Sequence, residues 1–248
     1  MGLQKERFFL IDGIRGLAIV NMVIFHFLYD VFIVYGRNPK WYGYQSIHIW
    51  QQSICWTFIC VSGFVWEWGA KKNLRRGLFL NCCGALISLI TWIILPSETV
   101  WFGILNFIGC AVLILIPFHK YLEKLHPALG LCISFFLFVL FKNVQHGFLG
   151  FGRMELIQLP KWLYSVKILT PLGFPFPGFL SSDYFPLLPW MFLYLSGYFL
   201  CQFFTGCEHW KKIAHFKIPL LSTIGQKSIW IYLLHQPLSM LVCILLFH

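Results

Sequence analysis

Four ionisable side chains lie in "DGIRGLAIVNMVIFHFLYD", residues 12–30, a stretch otherwise apolar enough to cross a bilayer. An ionisable group in hydrocarbon costs roughly 2.5–3.5 kcal/mol at a helix centre, so its presence asks for a chemical reason. On a helix, eleven residues advance three turns plus about 20°. Arg15 and His26 are eleven apart, so they share a face and stand roughly 16 Å apart along the axis. Asp12 and Asp30 fall about 60° from Arg15 on that same side, and Asn21 does not. His26 and Asp30 are four apart, a spacing at which a carboxylate can hydrogen-bond an imidazole and set its tautomer. Such an imidazole is suited to act as general base or as nucleophile. Asp12 and Arg15, three apart, can pair with one another; a plain polar seam between helices explains that pair equally well.

A second group of this kind lies near the C-terminus. In "GQKSIWIYLLHQPL", Ser228, Tyr232 and His235, followed by Ser239, share one helix face. His235 stands eight residues, roughly 12 Å, beyond Lys227, a depth comparable with that of His26. Pro237 removes a backbone donor beside it and predicts a kink there. A buried histidine bonded to a neighbouring helix is as good a reading of His235 as direct catalysis.

The elements that must position these groups follow from composition. Hydrophobic residues make up 58% of the chain and charged ones 11%, far from the ~25% charged of a soluble domain. The apolar runs recur along the whole chain, separated by short basic clusters. The fold class is therefore an all-α polytopic membrane protein in the lipid bilayer. About seven spans are expected in one bundle, at Gly13–Tyr35, Ile47–Gly69, Gly77–Leu95, Phe102–Phe118, Ala128–Phe141, Tyr184–Phe204 and Lys227–Phe247. Between the fifth and sixth, 142–183 is too long for a turn. Its Pro- and aromatic-rich "LGFPFPGFLSSDYFPLLPW" predicts an external segment packed on the protein at the interface. No repeat or second domain is evident, so residues 1–248 are read as a single domain.

The net charge of +10 is not a nucleic-acid signature, because the cations sit between spans. Lys5, Arg7, Lys71, Lys72, Arg75, Arg76, Lys120, Lys124, Lys211, Lys212, Lys217 and Lys227 lie on one predicted side, twelve in all. Six lie on the other: Arg37, Lys40, Lys142, Arg153, Lys161 and Lys167. That asymmetry predicts a cytoplasmic N-terminus and an external C-terminus. The nine cysteines form no C-x-x-C and no metal spacing, and eight fall in apolar spans; they read as small hydrophobes, with no metal called for. The first apolar run is too long for a signal peptide and is broken by Asp12 and Arg15, so it reads as a retained helix.

Arg15, ten intervening residues and His26 in "IDGIRGLAIVNMVIFHFLYD" resemble the opening helix of the transmembrane acyltransferase superfamily. The closer resemblance is to the bacterial branch of the heparan-α-glucosaminide N-acetyltransferase family. "FICVSGF", "FGILNFIG", "SSDYFPLLPW" and "IYLLHQPL" also resemble that family, in its order, from residue 7 to about 240. One departure is Asn106, where family members often carry His; asparagine can hydrogen-bond but cannot shuttle a proton.

The resemblance implies acyl transfer, with acetyl-CoA or another acyl-CoA as co-substrate, to a hydroxyl or amine of a sugar, glycan or other small acceptor. It implies a bacterial cytoplasmic membrane. On this reading His26, Asp30, Arg15 and His235 are catalytic. Arg15, Lys71, Lys72, Arg75 and Arg76 hold the CoA phosphates, although the loop cations also serve as topology signals. Asp183, Tyr184, Trp190, Asn106 and Gln236, each inside one of those motifs, bind the acceptor. Two other classes stay open at this point: a redox protein with His26 and His235 as axial haem ligands, and a small-molecule transporter. Homodimerisation is also left open.

Overall fold

The structure, a computed structural model, describes residues 8–205, 210 and 213–247. Lys5, Arg7, Lys211 and Lys212, part of the basic asymmetry, lie outside the described residues. Long helices occupy each of the seven expected places. They are α1 (Phe9–Tyr29), α2 (Gln45–Phe64), α3 (Asn73–Ile94), α4 (Ile104–Leu122), α5 (Pro127–Phe141), α6 (Leu187–Thr205) and, last in the chain, α8 (Ser228–Phe247). Six of them, taken with the turns that extend α1, α3 and α5, are long and apolar enough to cross a membrane. α2 is outside that six: Gln45, His48, Gln51, Gln52 and Ser53 crowd its first half with polar groups. The chain is thus an all-α polytopic membrane protein with little sheet.

The chain forms two compact units, one from Met1–Val61 with Thr205–His248 and one from Ser62–Phe204. The first contains α1, most of α2, a short helix α7 (Pro219–Gln226) and α8. α7 lies in a stretch the hydropathy reading treats as a connection. It packs on α1 so closely that neither partner has room for a side chain. A Cβ on Gly16 would stand 2.0 Å from the Leu221 carbonyl oxygen, and one on Gly225 would stand 1.8 Å from that of Asp12. Ser222 Oγ donates to the Phe9 carbonyl at 3.1 Å, closing the same seam. Small residues at a helix crossing let backbones touch, which is how helices gain contact where lipid offers no hydrophobic drive. Beyond this seam Ile19, Met22 and Phe25 of α1 are buried with Trp41 and Ile54. Asn21, left off the polar stripe, turns to α2, where Trp50 Nε1 donates to its Oδ1 at 3.0 Å.

α1 does not end cleanly. Residues Asp30–Val34 continue it as one π-helical turn, with the Tyr35 N–H reaching the Asp30 carbonyl at 2.9 Å. Such widened turns concentrate at functional sites. In α8, Pro237 sits inside a helix that runs on to Phe247.

In the second unit α3 and α4 pair closely. A Cβ on Gly84 would collide with the Asn106 side chain, 2.4 Å from its Oδ1. Residues 142–186 are only partly irregular. Antiparallel strands β1 (Phe148–Phe151) and β2 (Met154–Gln158) form a hairpin with a bulge at Leu149/Gly150, an element that the Pro and aromatic content of the segment does not signal. Two 3-10 turns follow, Lys161–Tyr164 and Lys167–Leu172. The end of the segment is stapled to the α3–α4 connection. Ser182 N donates to Thr99 O at 3.1 Å, Phe185 N to Phe102 O at 3.0 Å, and Trp101 N to Ser181 Oγ at 2.8 Å.

Candidate active site

In the first unit the crossing of α1 and α8 gathers four of the residues expected to do chemistry. His26 and His235 meet ring edge to ring face, centroids 4.9 Å apart and planes at 66°. His235 Nδ1 lies 2.5 Å from the Tyr232 carbonyl oxygen. A carbonyl only accepts, so this nitrogen carries the hydrogen and Nε2 keeps the lone pair. That Nε2 is buried and has no hydrogen-bond partner among the described residues. The fixed tautomer thus leaves a basic nitrogen of His235 unengaged on the ring that packs against His26.

Asp30 is fully buried, and here the sequence expectation is corrected. Its carboxyl group does not bond His26. Gln236 Nε2 donates to Oδ1 at 2.9 Å and Ser239 Oγ donates to Oδ2 at 2.5 Å. The physical reason is satisfaction: a carboxyl group away from water needs a donor on each oxygen, and a single imidazole one turn back supplies only one. α8 supplies both. Gln236, expected to touch the acceptor, therefore joins α8 to α1. Ser239, noted only as a member of the polar face, is its partner in that task. The orientation of His26 comes instead from packing, with Phe25 edge-on at 6.0 Å and His235 opposite.

Asp30→Asn keeps an oxygen for Gln236 and turns its amide towards a hydroxyl that can accept, so it should fold nearly as well. Asp30→Leu leaves two buried donors unpaired, at about 1–3 kcal/mol each. Thermal unfolding in detergent should rank wild type and Asp30→Asn together, well above Asp30→Leu. Equal stability of all three would show that the buried bonds contribute nothing.

Arg15 and Asp12 pair as their spacing suggests, Nη1 to Oδ1 at 3.4 Å, on the α1 turn next to the α7 seam. The other expected site residues belong to the second unit. Lys71, Lys72 and Arg75 are exposed around the start of α3, while Arg76 reaches inward and donates to Ser62 Oγ at 3.1 Å. Asn106 donates from Nδ2 to the Asn81 carbonyl at 3.4 Å, and its Oδ1 is buried with no partner among the described residues. Trp190 is buried against Phe138 and Phe185, its Nε1 likewise without a partner. Tyr184 donates from its hydroxyl to the Thr170 carbonyl.

Asp183 caps α4. Its Oδ2 accepts from the Ile104 N–H at 3.2 Å, a helix-terminal bond bridging 79 residues of sequence. Burial pushes its carboxyl up to about 6, against the pull of that backbone bond. Because the folded value lies above the ordinary one of 3.8, the stability this group contributes is complete below that value and is lost as pH rises through about 6. Wild type should therefore lose thermal stability between pH 4 and pH 7 relative to Asp183→Asn, with the difference largest at the top of that range. Parallel pH curves for the two proteins would contradict it.

The sequence reading missed one polar chain in the second unit. Gln202 Nε2 lies 2.9 Å from Glu67 Oε1 and 2.8 Å from the Tyr198 hydroxyl, which lies 2.8 Å from His119 Nδ1. His119 Nε2 is in turn 3.4 Å from Glu123. Two of its links, His119–Glu123 and Tyr198–Gln202, are visible in sequence as i,i+4 pairs; the bonds that join those pairs to each other and to Glu67 come from separate elements.

Residues 7–237 match the profile of the family described as heparan-alpha-glucosaminide N-acetyltransferase, catalytic. The chain belongs to that family. It is a family of transmembrane acetyltransferases that use acetyl-CoA. The match takes in both histidines, Asp30 and Gln236, and ends at Pro237. Comparison with curated proteins and with solved structures finds no match to this chain.

Proposed function

We propose that this protein moves an acetyl group from acyl-CoA to a hydroxyl or amine of a sugar or other small acceptor, with His26 and His235 at the reacting centre. The observation that carries the reading is the contact of two imidazoles on two apolar helices, 4.9 Å apart, one of them with a fixed tautomer. Ionisable groups at such a place mark function before structure.

In the reaction, the acceptor X–H approaches the thioester carbonyl carbon. His26 takes the proton as the X–C bond forms, and the C–S bond breaks. The proton then passes to the departing thiolate, leaving acetyl-X and CoA thiol. Alternatively the His26 nitrogen attacks the carbonyl carbon first and the C–S bond breaks to release CoA thiolate; X–H then takes the acyl group from the acetyl-imidazole, and its proton ends on the thiolate as the imidazole is restored. In either course His235 offers a second lone pair beside the first ring, and Asp30 holds α8 so that the two rings stay in contact. Among the described residues Lys71, Lys72 and Arg75 make no side-chain bond that would oppose a role on the CoA phosphates, and Arg15 supplies a further cation on the helix that bears His26. Asn106, Asp183, Tyr184 and Trp190 are assigned to the acceptor. The membrane is the bacterial cytoplasmic one, with the N-terminus inside; α2 crosses it together with the six more apolar helices, which puts the C-terminus outside, and residues 1–248 act as a single domain. The haem reading is disfavoured, since axial ligation needs a macrocycle between two imidazoles and these rings touch.

The test is reconstitution of the protein in liposomes with labelled acetyl-CoA and a panel of amino sugars, neutral sugars and glycans. Label should appear on an acceptor in step with release of CoA thiol. Thiol release no faster than in protein-free liposomes, with every acceptor, would overturn the reading.

A further inference from the structure

The second unit holds a cavity of about 590 Å³ that plays no part in the chemistry above. Its walls include Trp101 and Phe102 from the α3–α4 connection, and Lys167, Thr170, Phe176 and Phe179 from the segment before α6. Because the α3–α4 connection joins two membrane-crossing helices, the cavity lies at the level where spans end. Its lining is aromatic, with two polar features. Lys167 is exposed, makes no ion pair among the described residues, and holds its Nζ 5.2 Å from the centre of the Phe176 ring. Thr170 is only 6% exposed, and its Oγ1 has no hydrogen-bond partner among the described residues. A buried hydroxyl left without a partner in a cavity wall calls for a ligand atom to complete it.

We propose that this cavity binds an anionic membrane amphiphile. One phosphate or carboxylate sits on Lys167 and Thr170, and hydrocarbon runs along Trp101, Phe176 and Phe179. A free sugar would meet too few donors and acceptors here to replace its water, because sites for polar ligands carry several convergent polar groups. One cation, one hydroxyl and an aromatic wall match a single charged head on an apolar body. The surrounding chain suits the same ligand: Ile168 is 81% exposed and Leu180 83%, an apolar rim that lipid covers at no cost. The wall is also held in shape. Phe102 takes a left-handed backbone conformation, φ 55°, and is tied to Phe185 through its carbonyl at 3.0 Å.

The test uses purified full-length protein in a neutral maltoside detergent, without acyl-CoA, so its outcome is separate from that of the acetyl-transfer assay. A diazirine-bearing alkyl phosphate is photolysed with the protein, and labelled peptides are mapped. Label should fall on residues around Trp101 and on 176–180, and should be displaced by excess dodecyl phosphate. It should drop several-fold in Lys167→Gln, in Thr170→Val and at high salt, and be retained in Lys167→Arg. Thermal unfolding of each variant separates loss of the site from loss of the fold. Native mass spectrometry of protein extracted from membranes then distinguishes the two sources of such a ligand, a bilayer phospholipid or a lipid-carried saccharide; either supports the site. Competition by added neutral alkyl maltoside as effective as by alkyl phosphate, or label indifferent to both Lys167→Gln and Thr170→Val in folded protein, would overturn it.

Discussion

His26→Ala is expected to fold, to keep its affinity for acyl-CoA, and to lose roughly 10²–10⁴-fold in transfer rate, the usual contribution of a positioned general base. Folding should survive because the ring is only partly buried and makes no hydrogen bond among the described residues, so its removal strands no polar partner. Donor affinity should survive because the cations assigned to the CoA phosphates are other residues. His235→Ala should also slow transfer, and by less, since it removes the neighbour of the reacting ring. Arg15→Ala should show the opposite split, weakening donor binding along with turnover. Calorimetry with a non-transferable CoA analogue, set beside the rate in liposomes, separates these outcomes. Wild-type turnover in His26→Ala would leave that residue with a packing role alone.

The second large effect is expected at the α1–α7 crossing. Gly16→Ala and Gly225→Ala each place a methyl group about where a carbonyl oxygen stands, 2.0 Å from Leu221 O and 1.8 Å from Asp12 O. Those obstacles are backbone, which no rotamer change can move aside. Overpacking of a tight interior costs about 1–3 kcal/mol even where side chains can yield, and here the helices themselves must separate. Each variant should therefore unfold at a clearly lower temperature in detergent. Each should lose activity too, because the seam lies on the same helix as Arg15 and His26. Gly43→Ala, with open space at its Cβ, is the control and should behave as wild type. If Gly16→Ala or Gly225→Ala unfolds where Gly43→Ala does, the crossing is looser than described.

Hydropathy alone was enough for the membrane class and for the places of the long helices, because a segment that must satisfy its backbone in lipid has few alternatives to a helix. It misplaced their ends. α6 starts at Leu187 and not at Tyr184, since the residues before it are spent on stapling the α3–α4 connection and on the Asp183 cap. α7 escaped notice because its eight residues are short and mixed in character. What makes it matter is a backbone contact, and hydropathy carries no signal of that.

The candidate site divides in the same way. Helical periodicity along α1 sufficed to put Arg15, His26 and Asp30 on one side and Asn21 on another, and spacing sufficed for the Asp12–Arg15 pair. These are relations within one helix, where 3.6 residues per turn leave no freedom. Which partner each group would choose across helices was not in the sequence. Asp30 had His26 one turn back and took Gln236 and Ser239, more than 200 residues away, because a fully buried carboxyl group needs a donor on each oxygen. That choice released His26 to meet His235. The order of residues along α1 was enough to place charges inside a membrane helix and to say on which face. Only the packing of α8 on α1 decided which of them would be tied down as structure and which left free to react.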